Sequence, residues 1–290
     1  MMDIDQSNSC PVPTGVLLVV GGHENKGEKP EKKKQEGDYK PLEILETFVK
    51  LIGKEDCVIE VITTGSSVGE ESFKDYQKAF TDLGVKQVGH IHHDNRGEAI
   101  NDVDVINRIG KANAVYFSGG NQLKLTAIYG GTDLLFQLKK RYIYNQLIIG
   151  GTSAGAMAFS TPMIYAGNKE VQQIAGEIKI TTGLEFLKDV CIDTHFVDRG
   201  RFVRMAQVIA SNPTSIGLGI EENTALIIRN GIETEVIGSG VVIVIEGFSI
   251  TASNIMDFES KAPIHIEDLN VKLLSKGCRY QIPRNNPPHI

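Results

Sequence analysis

Apolar positions along this chain follow two recurring patterns. Short apolar runs, Val16–Val20, 57–62 (broken only by Glu60), Ala114–Phe117 and 147–149, each stop at a cluster of glycine, serine or threonine. Runs of that length without polar alternation suit strands buried on both faces of a parallel sheet. Between them apolar residues return every three or four positions. Leu42, Leu45, Phe48, Val49 and Ile52 precede Gly53, and Phe73, Tyr76, Phe80 and Leu83 precede Gly84. That spacing predicts helices with one buried stripe and a glycine stop. Residues 87–92 read as a short strand, and 103–112 and 123–129 as helices. Strand and helix in alternation predict an α/β fold, a doubly wound, mostly parallel sheet whose site lies outside the carboxyl ends of the strands. Residues 174–180 read as strand or β-ribbon. From 235 onward the pattern becomes the alternation of antiparallel edge strands toward the C-terminus.

No repeat or linker divides the chain, so the expectation is a single α/β catalytic domain over 15–290 behind a flexible tail at 1–14. A charged insertion at about 25–40, with Lys32-Lys33-Lys34, reads as a solvated loop. With 290 residues the chain can bury a substantial core. Its net charge of −6 shows no basic face for nucleic acid. Cys10, Cys57, Cys191 and Cys278 are scattered, without C-x-x-C spacing, which implies neither a metal site nor a disulfide framework. A polar N-terminus and no apolar run of spanning length imply no secretory signal and no membrane contact. The expected compartment is therefore the cytoplasm, with no cofactor and no metal; a homodimer stays open.

Chemistry concentrates at the strand ends. Gly151-x-Ser153-x-Gly155 follows an apolar run and precedes small helix formers, the pattern of a nucleophile elbow in which a sharp turn presents the serine hydroxyl. A serine needs a base, and the base needs an orienting acid. His195, at the end of the predicted strand 190–195, is the leading base, and His265 the alternative. Glu221, Glu222 and Asp193 all remain open as the acid. His90, His92 and His93 lack carboxylates at ligand spacing and read as solvent-facing.

Four blocks then carry a resemblance. Gly119-Gly120-Asn121-Gln122, Gly150 through Ala156, Asp193-Thr194-His195-Phe196 with Arg199, Arg201 and Arg204, and Gly217-x-Gly219-Ile220-Glu221-Glu222-Asn223-Thr224-Ala225 occur in order between about residues 16 and 228. They resemble the cyanophycinases, serine exopeptidases related to the aspartyl dipeptidases and to class I glutamine amidotransferases. The resemblance implies that last fold and a peptide polymer as substrate, a polyaspartate with arginine branches cut to β-Asp-Arg dipeptides. It implies Ser153 as nucleophile, His195 as base and Glu222 as acid, with backbone amides of Gly120 and Ala154 for the oxyanion. Gln122, Asp193, Thr194, Arg199, Arg201 and Arg204 would bind substrate. Two positions depart from the family pattern. Thr194 stands where glutamine is common, and Asn121 where aspartate is expected.

Overall fold

The computed structural model describes residues 11–27, 40–167, 173–257 and 261–283. Most of the expected tail and of the charged insertion lie outside the described residues. The described part of the expected tail is tethered: Thr14 donates N–H to the Ile143 carbonyl at 3.0 Å.

The first half alternates as its periodicity requires. Strands β1 (Val16–Val20), β2 (Val58–Ile62), β3 (Gln87–Ile91), β4 (Ala114–Phe117) and β5 (Ile148–Thr152) are joined by α1 (Glu43–Ile52), α2 (Gly69–Asp82), α3 (Arg96–Asn101), α4 (Val103–Lys111), α5 (Gln122–Tyr129) and α6 (Asp133–Tyr144). Four of these helices begin where a side chain accepts an otherwise orphaned amide: Asn95, Asp102, Asn121 and Thr132. Then follow α7 (Ala154–Met157), β6 (Ser160–Thr161), β7 (Met163–Ala166), β8 (Lys179–Thr181), β9 (Leu187–Lys188), β10 (Val190–Thr194), α8 (Phe202–Ser211) and β11 (Ile216–Ile220). The chain ends in β12 (Thr224–Arg229), β13 (Glu233–Gly238), β14 (Val242–Glu246), β15 (Ala252–Ser253), β16 (Ile266–Glu267), β17 (Asn270–Leu274) and β18 (Arg279–Gln281).

The main sheet runs β18-β13-β12-β1-β5-β4-β2-β3. From β1 to β3 it is parallel, and β12, β13 and β18 extend it antiparallel. The unforeseen feature is a second, six-stranded sheet, β17-β14-β11-β10-β6-β9. The apolar runs 190–192 and 216–220 look like further strands of the first sheet, yet β10 and β11 pair in parallel inside the second. One apolar core joins the two, from Val19, Phe117 and Ile149 through Phe159 and Leu184 to Ile192, Leu218 and Val244. Each of these side chains is fully buried, a contribution of about 1.5–3 kcal/mol apiece. A second cluster under α1 and α2, with Phe48, Phe80 and Tyr116, covers the other face.

Two local expectations are corrected. The histidines at the end of β3 and just beyond it are not solvent-facing. His93 is 3 % exposed and lies between the Tyr129 hydroxyl (3.0 Å) and Asp102 (3.1 Å), while His90 and His92 both contact the Thr63 hydroxyl. Buried imidazoles need such partners for both ring nitrogens. In 174–180 only the last residues join a strand, and Ile174 forms an isolated bridge to Pro263. No helix among the described residues is long and apolar enough to cross a membrane.

Candidate active site

The site grows from the end of β1. Val20 accepts the amide of Ser153 (3.1 Å), Gly21 accepts that of His195 (2.8 Å), and Gly22 accepts that of Asn223 (2.8 Å). One turn therefore ties together the end of β5 in the main sheet, the end of β10 in the second sheet, and the crossing from β11 to β12. Gly22 has φ +104°, and a Cβ there would stand 2.3 Å from the His195 ring. Only glycine allows that approach.

Ser153 has φ 51° and ψ −120°, the strained geometry of an elbow, with α7 starting at the next residue. Its hydroxyl donates to His195 Nε2 at 2.9 Å, and His195 Nδ1 donates to Glu222 Oε1 at 2.6 Å. Among the acids left open by sequence, Glu221 turns away and accepts the Val241 amide at 2.9 Å. His265 is exposed and paired with Glu267. The ring of His195 is 3 % exposed. Burial holds its pKa below the ordinary imidazole value, against the upward pull of the Glu222 hydrogen bond; Arg199 pushes in the same direction as burial. Burial alone would raise the Glu222 carboxyl, but the hydrogen bond from His195 and the neighbouring His23 together hold it below its ordinary value.

A cleft of about 290 Å³ opens at Ser153, lined by Gly120, Gln122, Ala154, Met157, Tyr165, Ala166, Gly167, Arg199, Arg201 and Arg204. Gly120 has φ +137°, and a Cβ on it would meet the Gly65 carbonyl at 2.0 Å. Ala154 opens α7, so its amide has no intrahelical acceptor. Gln122 donates to the Ile164 carbonyl at 2.9 Å, pinning it to the cleft wall. Asn121 accepts the amides of Leu123 and Lys124 and caps α5. That task suits asparagine or aspartate equally, so this departure from the family pattern leaves the backbone unchanged.

Two of the residues expected to bind substrate are not among those that line the cleft. Asp193 and Thr194 are both fully buried. Asp193 lies beneath the cleft, where Arg201 donates to it at 2.9 Å and Arg204 grips both its oxygens. It therefore aims the arginines instead of facing the cleft. Thr194 points to the other side of β10, and its Oγ1 has no hydrogen-bond partner among the described residues. Its carbonyl accepts from Arg201 at 2.6 Å. Of the three arginines, Arg201 is the N-cap of α8, Arg204 lies in its first turn, and Arg199 precedes it. Arg201 falls to about 10 through burial and remains charged at neutral pH. Arg199 forms no ion pair with a described residue, which leaves its guanidinium available to the cleft.

Two residues escaped the sequence reading. Glu24 is buried and accepts from Thr152, Tyr76 and Tyr116, bracing the residue before the nucleophile. His23, with φ 47°, places Nδ1 3.0 Å from Glu222 Oε2 and its ring edge-on to His195 at 4.9 Å. A strand ending in two glycines, followed at once by a titratable pair, was the available signal.

The sequence profile of peptidase family S51 matches residues 34–236. A cyanophycinase of Synechococcus elongatus is 29 % identical over 275 residues, covering 95 % of this chain and 81 % of the relative. One from Geminocystis herdmanii (strain PCC 6308) is 27 % identical over 271 residues, covering 93 % and 95 %. The crystal structure of a peptidase from an acI-B1 Actinobacterium superposes with a TM-score of 0.63 at 20 % identity, covering 92 % of this chain and 96 % of the other.

Proposed function

Because this chain belongs to peptidase family S51 and is a serine-type peptidase, we propose that it is a cyanophycin-degrading exopeptidase acting through an acyl-enzyme on Ser153. The observation that carries the reading is the cleft itself, which holds the Ser153 hydroxyl and three arginines in one space. Cyanophycin presents free carboxylates at its chain end and on its arginyl branches. Guanidinium groups bind such carboxylates through two parallel hydrogen bonds, which lysine cannot match. Arg199 is the group free to do so, while Arg201 and Arg204 present only the N–H groups left over by Asp193 and by the carbonyls of Thr194 and Gly167.

In this proposal Ser153 Oγ attacks the scissile backbone carbonyl as its proton passes to His195 Nε2. Glu222 stabilises the resulting imidazolium, because it already accepts the Nδ1 proton. The amides of Gly120 and Ala154 receive the oxyanion; loss of one such donor costs about 3–4 kcal/mol of transition-state stabilisation. His195 then returns the proton to the leaving amine, and water repeats the sequence to release the acid. The free thiols of Cys57, Cys191 and Cys278 support a reducing, cytoplasmic setting.

A second reading, a dipeptidase or isopeptidase for other Asp-containing peptides, is favoured by one observation. Thr194 is buried, so this chain lacks the side-chain contact that the family's glutamine would supply. The two readings separate in one assay. Purified protein and its Ser153→Ala variant are incubated with cyanophycin and with α- and β-Asp dipeptides, and products are identified by mass. β-Asp-Arg released by the native protein alone is the expected result. Cleavage confined to short dipeptides selects the second reading, and undiminished hydrolysis by Ser153→Ala overturns both.

A further inference from the structure

His23 is not needed for the serine relay, yet it stands against it. Its side chain is 70 % exposed, while Glu222 beneath it is 15 % exposed and His195 3 %. One ligand atom from each of the three lies within 4.8 Å of the other two. The backbone holds them there: His195 and Asn223 donate their amides to Gly21 and Gly22, the two residues before His23.

We propose that His23, Glu222 and His195 form a site for a borderline-soft divalent ion, with Zn²⁺ the best fit, whose occupation switches the hydrolase off. Two imidazoles and one carboxylate are a donor set suited to zinc, with a fourth position left to water. Bonds of about 2.0–2.1 Å in a tetrahedron set neighbouring ligands about 3.3 Å apart. Each imidazole now contacts its own oxygen of Glu222, His23 Nδ1 on Oε2 at 3.0 Å and His195 Nδ1 on Oε1 at 2.6 Å. A single oxygen must serve both in the complex, and with one ligand atom from each residue already inside 4.8 Å, rotation of the carboxylate supplies the adjustment. Entry is from solvent along the exposed His23 ring. Arg199, the cation acting on His195 from the cleft side, opposes the ion and limits its affinity.

The inhibitory effect follows from proton placement. In the relay the one proton of neutral His195 sits on Nδ1, and the Nε2 lone pair accepts from Ser153. A metal on Nδ1 takes that lone pair position, so the proton moves through solvent to Nε2. Ser153 then meets an N–H instead of an acceptor, and no base remains to take its proton. His23 makes the same tautomer exchange, its proton moving to the solvent-facing Nε2. No net proton or electron is gained or lost.

This regulation rests on the serine-relay reading, and the experiment keeps the two apart. Metal-free protein and its His23→Gln and His23→Ala variants are titrated with Zn²⁺ by calorimetry. In parallel, fluorophosphonate labelling of Ser153 is timed with and without Zn²⁺, then after EDTA. His23→Gln keeps an N–H donor for Glu222 but is a poor zinc ligand, so it separates the two roles of the residue. The expected result is one ion per native chain, labelling slowed by zinc and restored by EDTA, and both zinc affinity and the slowing weakened at least about tenfold in each variant. Substitution of Co²⁺ should give the intense visible absorption of a four-coordinate site. Equal zinc sensitivity in His23→Gln and native protein, or no stoichiometric binding, overturns the proposal. Failure of metal-free native protein to label overturns the serine relay instead, while the calorimetry still tests the site.

Discussion

Ser153, His195, Asn223 and His23 all adopt positive φ without being glycine. Each such residue costs of order 1–3 kcal/mol and persists only where its surroundings fix it. Here the fixing groups for Ser153, His195 and Asn223 are the hydrogen bonds their amides donate to successive carbonyls at the end of β1. The strain aims side chains that an extended backbone would send elsewhere. The relay has a distinctive pH signature. Burial and Arg199 depress the His195 imidazole, so its basic form survives to lower pH, and the acid limb of kcat/KM should fall below the ordinary histidine range near 6.5. Glu222→Gln should lower kcat by about 10³–10⁴, because the amide can offer the ring an N–H and so admit the wrong tautomer, and it carries no charge to stabilise the imidazolium. The same change removes the two influences that raise the His195 pKa, the hydrogen bond and the charge of Glu222. What activity remains should therefore show an acid limb displaced further down. A pH–rate profile in which that limb moves upward would contradict the assignment of Glu222. The alternation of Ile220, Glu221 and Glu222 could not choose between the two glutamates, since both leave the strand where its periodicity ends. Their directions were set by the Val241 amide, which holds Glu221, and by the His195 ring, which holds Glu222.

At the scale of elements, the site is a junction of ends. The end of β1 and the turn after it touch the residues that follow β5 and β10 and the β11–β12 crossing, and they do so with a glycine whose missing Cβ makes room for the His195 ring. Gly22→Ala should both strain a φ of +104° and drive a methyl into that ring. The expected cost is about 1–3 kcal/mol of stability, with a loss of about 10² in turnover from a displaced base. Thermal denaturation and steady-state kinetics check the two parts; native turnover in Gly22→Ala would mean that β1 does not position His195. Most elements were legible in sequence because their signals are local: an uninterrupted apolar run, a stripe at helical spacing, a capping side chain, a glycine stop. The Gly21-Gly22 turn was legible only as a turn. Its partners lie well over a hundred residues away, and no local pattern encodes which carbonyl will meet which amide. The arginine block behaves similarly. The resemblance places Asp193 with the arginines as a substrate contact, and only the folded chain sets it beneath two of them.

At the scale of the whole molecule, two sheets share one core. Phe159 and Leu184 belong to the cluster that holds Val19 on one side and Val244 on the other. Neither sheet can lose that face to water without exposing the other, so the described chain should unfold as a unit. Scanning calorimetry should return one transition with calorimetric and van't Hoff enthalpies in agreement; two resolved transitions would divide what is proposed here as a single domain. By itself the sequence determined the element types, the α/β alternation, the elbow serine and a short set of partners for it, because propensity, periodicity and turn chemistry act between near neighbours. Tertiary structure alone decided that β10 and β11 leave the main sheet, that Asp193 lies under the arginines, and that His23 stands over the relay; it also aims Glu222 at the imidazole, a choice that the strand pattern left open and only the family resemblance implied. Those outcomes depend on which faces bury each other and which distant amides find acceptors, and such pairings exist only once the chain has closed on itself.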